Sequence, residues 1–175
     1  MSSLYCSTPL PDYAEDICAN EPGRIIAVAI MRSDHTVTDP TSASLWNSNI
    51  TAGRVVILKN VRGDKPKSTD VQGDGFGRQQ TRSISRDFVA NYKHPSVIGN
   101  EDFYNVLNYD NGHSFWFYTQ GQKIWDSGDA IANFDSDFTI EEGLNTFIMW
   151  DVTVTWSTED IPVASDASAI SSIFE

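Results

Sequence analysis

Basic side chains are scarce in this sequence: 12 Lys and Arg stand against 24 Asp and Glu, which gives a net charge of −12 over 175 residues. Because affinity for a phosphate backbone rests on Lys and Arg, this balance argues against a free-standing DNA or RNA binder. Anionic membrane surfaces are disfavoured as partners for the same electrostatic reason. We therefore expect neither nucleic acid nor a membrane to be a high-affinity partner.

Long apolar runs are missing as well. No stretch approaches the roughly 20 residues that span a bilayer, and the first residues, MSSLYCSTPLPDYAED, have neither the basic region nor the apolar stretch of a secretory leader. We therefore expect a soluble protein that is made in a cytosol. The length suits one domain, and a hydrophobic content of 40% with 11% aromatic residues can supply a core, which excludes wholesale disorder.

The residues that usually carry metal or nucleophilic chemistry are few and scattered. The two cysteines, Cys6 and Cys18, form no CxxC motif, and His35, His94 and His113 have no His or Cys partner at ligand spacing. The serines lack a GxSxG elbow. We expect no metal, no cofactor and no enzymatic activity. The cysteines are most simply free thiols, and a late disulfide in an extracellular particle is the alternative.

One short segment has part of a calcium-loop pattern. Asn133, Asp135 and Asp137 alternate as calcium ligands do, but Phe138 replaces the turn glycine and Leu144 replaces the final glutamate. The pattern therefore indicates at most weak binding of calcium at the surface.

Charge is distributed unevenly along the chain. Residues 1–100 carry 11 basic and 10 acidic side chains, whereas residues 101–175 carry 14 acidic ones and only Lys123. Nine of the basic residues fall between positions 54 and 93. The plain interpretation is a solvated face on an acidic protein. The sharper one is electrostatic complementarity between copies of the same chain.

The hydrophobic pattern predicts a mainly β protein. Five segments have the composition or alternation of strands: 24–31, 54–61, 81–92, 114–125 and 145–156. We predict that segment 114–125 forms a β-hairpin of two strands. Asn100 can cap a helix that ends at Asn111-Gly112, and a shorter helix can begin near Pro40 and end at Gly53. We predict an antiparallel two-sheet sandwich or flattened barrel with one flanking helix.

The predicted organisation has three parts. An N-terminal segment, 1–23, precedes the β-sandwich domain, 24–156, and a C-terminal arm, 157–175, follows it. Within the domain, residues 62–80 have four glycines and almost no apolar side chains, which predicts a long loop or a protruding hairpin. The arm is polar and acidic until Ile170, and we expect it to order on a neighbouring molecule.

The order of these elements over roughly residues 15–125 resembles small virion proteins of tailed bacteriophages, especially crAss-like and other phages of Bacteroidetes hosts. The residues that carry the resemblance are Cys18, Glu21-Pro22-Gly23, the Arg32-Ser33-Asp34 turn, Thr38-Asp39-Pro40, Trp46, Gly53 and Val61-Arg62-Gly63-Asp64-Lys65-Pro66-Lys67-Ser68. The resemblance implies a tail-tube-like subunit of the virion. Copies would form a homo-oligomeric ring at the neck or tail, beside other neck and tail proteins, with DNA only as passing cargo.

This picture assigns roles to particular side chains. The residues expected at the subunit interface are Arg62, Lys65, Lys67, Arg78, Arg82, Arg86, Ile173 and Phe174. The acids expected to line the channel and repel DNA are Asp126, Asp129, Asp135, Asp137, Glu141 and Glu142. The alternatives are a capsid decoration protein and a carbohydrate-binding β-sandwich module. In such a module Trp46, Trp116 and Trp125 would be the candidates for stacking on a sugar.

Overall fold

A computed structural model of the chain describes residues 22–73, 82–110, 112–128, 130–140 and 147–175, with only the backbone for residues 82 and 83. Nine strands lie in these ranges: β1 (Ile25–Arg32), β2 (Val55–Asp64), β3 (Thr69–Gly73), β4 (Arg82–His94), β5 (His113–Thr119), β6 (Lys123–Asp126), β7 (Asn133–Thr139), β8 (Met149–Thr158) and β9 (Ser165–Asp166). The helices are α1 (Ala43–Thr51), α2 (Glu101–Tyr109) and α3 (Ser171–Phe174), and a 3-10 turn, Ser168–Ile170, precedes α3.

All strand pairs are antiparallel, and hydrogen bonds join the nine described strands in one sheet. The strand order is β7-β8-β4-β2-β1-β5-β6-β9, and β3 pairs with a further part of β4. The predicted mainly β, antiparallel fold is confirmed. The finer prediction of a two-sheet sandwich or flattened barrel stays a prediction.

The sheet bends strongly. In the ladder, β8 and β5 are four strand spacings apart, about 19 Å in a flat sheet. The rings of Phe115 on β5 and Trp156 on β8 nevertheless have centroids only 6.0 Å apart. Just before β7 begins, the backbone N–H of Ala132 donates a hydrogen bond to the carbonyl of His113, the first residue of β5, at 2.9 Å. The sheet is therefore curved strongly enough for side chains of β5 and β8 to pack against each other in one core.

Strand β1 separates two hydrophobic cores. Val28 and Ile30 point into the large core, which is formed with β4, β5, β8 and α2. Ala27, Ala29 and Met31 point into the small core, which α1 and α3 cover. A strand buried on both faces needs apolar residues at every position, which explains its continuous apolar run.

The predicted loop at residues 62–80 contains the end of β2 and the whole of β3. Strand β2 continues to Asp64, and β3 pairs with β4, as in the hairpin alternative. Residues 74–80 lie outside the described residues. Gly63 is needed where β2 meets β4, because a Cβ there would lie 2.5 Å from the carbonyl oxygen of Asn91.

The C-terminal segment packs on its own chain, which differs from the predicted arm on a neighbour. Phe174 is 1% exposed. Its ring centroid lies 5.1 Å from that of Trp46 and 5.1 Å from that of Tyr118. The ammonium of Lys59 donates to a backbone oxygen of Glu175 at 2.8 Å. The physical reason is that α3 covers an aromatic surface of the small core that would otherwise meet water.

Candidate functional site

Four charged side chains from four neighbouring strands stand in one row across the sheet. In the antiparallel registers Arg62 pairs with Lys93, Lys93 with Asp151, and Asp151 with Asp137. Directly paired residues of antiparallel strands point to the same face. Because the adjacent Tyr92 points into the large core, the row faces away from it. We call this set the charged row and its side of the sheet the outer face.

The two central members of the charged row neutralise each other. The Nζ of Lys93 lies 3.3 Å from Oδ2 of Asp151, and these side chains are 42% and 38% exposed. Arg62 and Asp137, at the two ends, are exposed and make no ion pair within the described ranges. Among the described residues, the row therefore ends in a cation at β2 and a carboxylate at β7 that have no ion-pair partner, and the carboxylate accepts the backbone N–H of Phe138 at 2.8 Å.

Neighbouring residues extend both ends. Arg24 is exposed and lines the same shallow groove of about 320 Å³ as Arg62 and Lys93. Asp135 lies two residues from Asp137 on the same face of β7. The next row along the sheet is polar and acidic, and its members are Asp64, Asn91, Thr153 and Asp135. The outer face thus carries Arg24 and Arg62 together with Asp64 near β2, and only acids, Asp135 and Asp137, among its charged residues on β7.

Helix α2 holds the acidic strand in place. The side chain of Asn108 donates from Nδ2 to the carbonyl of Ser136 at 3.0 Å and accepts from its backbone N–H at 2.9 Å. The amide thereby satisfies the backbone of an edge strand as a further strand would. Because Ser136 lies between Asp135 and Asp137, its inward orientation points both carboxylates outward.

The residues predicted as an interface do not gather on one surface. Arg62 is in the charged row, and Lys67 is exposed in the connection between β2 and β3. The Nε of Arg86 lies 3.2 Å from Oδ1 of Asp70 within the same chain. Ile173 is partly buried against the small core and Phe174 is in it, so Phe174 is not available to a neighbour.

Three further predicted cations remain, of which one is packed on a ring and two have no described side chain. The Nζ of Lys65 lies 4.8 Å from the ring centroid of Phe88, and burial lowers the pKa of this lysine. Arg78 lies outside the described residues, and Arg82 is described only by its backbone in β4.

The predicted acids are likewise divided. Asp135 and Asp137 come together on the outer face, whereas Asp126 lies on β6, opposite Trp116. Asp129, Glu141 and Glu142 fall outside the described residues. Sequence reasoning missed Arg24, Lys93 and Asp151. Lys93 and Asp151 each follow the alternation of their strand, and only the pairing of β4 with β8 shows that they meet.

No protein-family model matches this chain, and no curated protein matches it either. Among the described residues, no group of three His, Cys, Asp or Glu is arranged to hold a metal ion. No helix in these ranges is both long and apolar enough to cross a membrane.

The tryptophans proposed for sugar stacking differ in accessibility. Trp46 and Trp116 are buried, with 0% and 6% of their surface exposed. Trp125 is half-buried, and its ring stacks on that of Phe117 with centroids 5.4 Å apart. Of the three, only Trp125 can offer a ring face to a ligand without unfolding.

The charged row is suited to binding rather than to chemistry. Its carboxylates and cations stand on a solvent-exposed sheet face, where water screens each charge. Such a surface selects the orientation and the partner of a contact more than it adds affinity.

Proposed function

We propose that this protein is a non-enzymatic structural subunit of a bacteriophage particle that forms a homo-oligomeric ring in the head-to-tail connector or tail. The observation that carries this proposal is the charged row, whose end residues Arg62 and Asp137 have opposite charges and make no ion pair within the part of the chain that the structure describes. Copies arranged side by side in one orientation bring Arg62 of each copy towards Asp137 of the next. A contact between two different surfaces of the same chain closes into a ring when its rotation closes.

The acidic side of the outer face supports a role next to passing DNA. Asp135 and Asp137 project from β7 and make no ion pair within the described ranges. Carboxylates that face a channel repel the phosphate backbone, so DNA slides through without binding. We propose that Asp135, which lies outside the charged row, faces the channel and that the ring lies beside other neck or tail proteins in the virion.

Reversing the charges one at a time tests the ring. Arg62→Glu and Asp137→Arg should each abolish rings in sedimentation velocity and electron microscopy, because each places like charges against each other. The double variant Arg62→Glu, Asp137→Arg should restore rings. Arg32→Glu is the matched control, since Arg32 is exposed and its partner is Asp34 at 3.5 Å, away from the row.

Two results would contradict the proposal. One is a wild-type chain that stays monomeric at all concentrations, and the other is a ring that both single variants still form. Closed rings with an open centre separate a channel subunit from a capsid decoration protein, which would instead coat the surface of purified particles.

A carbohydrate-binding module is the second candidate, because Trp125 borders a cavity and has a partly exposed ring. Titration with glycans should then quench tryptophan fluorescence in the wild type and not in Trp125→Leu. The absence of quenching by any glycan tested would remove this candidate.

A further inference from the structure

A cavity of about 360 Å³ opens beside the small core, between the turn after β1, the start of β5 and the turn after β6. Its volume lies within the range of small-molecule sites, which is about 300–1,000 Å³. We call this feature the polar cavity. The residues that bring polar groups to its lining are Ser33, His35, Thr36, Ser114, Trp116 and Asp126.

Trp116 brings an unused hydrogen-bond donor to the polar cavity. The residue is 6% exposed, and it lines the cavity. No acceptor for its indole N–H lies within the described ranges. The indole nitrogens of Trp150 and Trp156 also lack a partner there but are sealed from solvent, whereas that of Trp116 is not. A nearly buried donor is stabilised when a ligand or a water molecule accepts its hydrogen bond.

Hydrogen bonds hold the walls of the polar cavity in place. In the turn after β1, the backbone N–H of Ser33 donates to the carbonyl of Gly112 at 2.7 Å. In the turn after β6, Oγ of Ser127 accepts from the backbone N–H of Phe115 at 3.1 Å and donates to the carbonyl of Ala130 at 3.1 Å. A site whose groups are already positioned loses less conformational entropy when a ligand binds.

The lining selects a ligand by hydrogen bonding. The hydroxyls of Ser33, Thr36 and Ser114 can both donate and accept, and so can the imidazole of His35. The carboxylate of Asp126 has room for several hydrogen bonds. No lysine or arginine is among the described residues of the lining. An anionic ligand would therefore lose its hydration with no cation among these residues to replace it.

We propose that the polar cavity binds a neutral monosaccharide, whose hydroxyl groups exchange hydrogen bonds with the indole N–H of Trp116 and with the hydroxyls of the lining. The contact uses the edge of the Trp116 ring, so it differs from stacking on the face of Trp125. It also requires no second copy of the chain and is independent of the proposed ring. A site that hydrogen-bonds ligand hydroxyls rejects ligands without them, since its own polar groups would stay unpaired.

A titration followed by the indole N–H resonances in heteronuclear NMR spectra tests this proposal. The probes are D-glucose, D-galactose, D-mannose and N-acetyl-D-glucosamine, with D-glucuronic and D-galacturonic acids as anionic analogues. We expect a saturable shift of the Trp116 resonance, assigned from Trp116→Phe, with at least one neutral sugar. The anionic analogues should bind at least about tenfold more weakly, because the carboxylate is desolvated without a cation.

Three results of the titration would overturn the proposal. They are a Trp116 resonance that no neutral sugar shifts, equal affinity for neutral and anionic sugars, and a shift confined to the resonance of Trp125. The same titration is made on Arg62→Glu, which should form no rings. Sugar binding retained in this variant separates the polar cavity from ring assembly, and binding that is lost with the rings contradicts their independence.

A conservative substitution in the lining gives a second measurement. Thr36→Val should weaken sugar binding by about threefold to tenfold, because it removes one hydroxyl from an exposed loop position without disturbing a core. Thr51→Val is the matched control, since Thr51 is exposed at the end of α1 and is not part of the lining. Equal affinity of the two variants would count against the polar cavity as the binding site.

Discussion

The side-chain amide of Asn108 and the backbone of Ser136 exchange two hydrogen bonds, at 3.0 Å and 2.9 Å, so that α2 completes the edge of the sheet at β7. The hydroxyl of Ser136 also donates to Oδ1 of Asn108 at 2.7 Å. One side chain thus satisfies a strand edge that would otherwise be open to pairing with another chain.

Asn108→Leu should destabilise the protein by about 1–3 kcal/mol, because it leaves the N–H and carbonyl of Ser136 without partners at a partly buried site. The free energy of unfolding from urea denaturation measures the loss. Asn105→Leu is the control, since Asn105 lies on the same helix with an exposed side chain. Equal stability of the two variants would show that the Asn108 bonds contribute nothing.

Gly63→Ala should cost about 1–3 kcal/mol, because the added Cβ would lie 2.5 Å from the carbonyl oxygen of Asn91 and must push β2 away from β4. Denaturation curves for this variant are compared with those of Gly23→Ala, where nothing lies within 4 Å of the added Cβ. We expect Gly63→Ala to have a free energy of unfolding lower than that of Gly23→Ala by about 1–3 kcal/mol. A Gly63→Ala chain as stable as the wild type would mean that β2 and β4 do not approach this closely.

Phe174→Ala should lower the free energy of unfolding by about 3–5 kcal/mol, because it empties a site between Trp46 and Tyr118 in the small core. Ile173→Ala, at a partly buried position, should cost clearly less. Thermal denaturation of the two variants is the measurement. If Phe174→Ala kept its stability and lost only its oligomers, the C-terminal segment would be an arm after all.

His94 should make the protein less stable in mild acid. Burial lowers the pKa of His94 below its ordinary value of 6.5. As pH falls through that ordinary value, the unfolded chain takes up a proton before the folded chain does, so the contribution of the neutral imidazole to stability is lost. It is fully present above pH 6.5.

The measurement is the difference in unfolding free energy between wild type and His94→Gln from about pH 8 to about pH 5. The wild type should lose stability relative to the variant as pH falls. His35→Gln serves as the control, and it should lose stability as pH falls in the same way as the wild type. A difference that stays constant over this range would rule out a buried neutral His94.

Sequence patterns predicted the strands in which apolar residues either alternate with polar ones or occupy every position. Val152, Val154 and Trp156 alternate with polar residues on β8, and β1 is apolar throughout because both of its faces are buried. The sequence interpretation missed β7, since Asn and Asp disfavour strands and the segment was interpreted as a partial calcium loop. Its alternation of Phe134 and Ser136 with acids was the available signal.

The charged row could not be predicted in the same way. Alternation along β4 and β8 shows that Lys93 and Asp151 face outward, but not that they stand opposite each other. That depends on register between strands that are far apart in sequence. The same limit explains the C-terminal segment, because the apolar spacing of Ile170 and Phe174 does not reveal whether their binding surface belongs to the same chain.

The position of β1 between two cores also has a kinetic consequence. Its ladder partners are β2, which follows soon after it, and β5, which begins only at His113. Contacts between residues so distant in sequence form slowly, since a long loop must close first. During synthesis, a chain that ends before β5 leaves one edge of its most apolar strand open to aggregation. Productive folding therefore depends on the second half of the chain emerging from the ribosome.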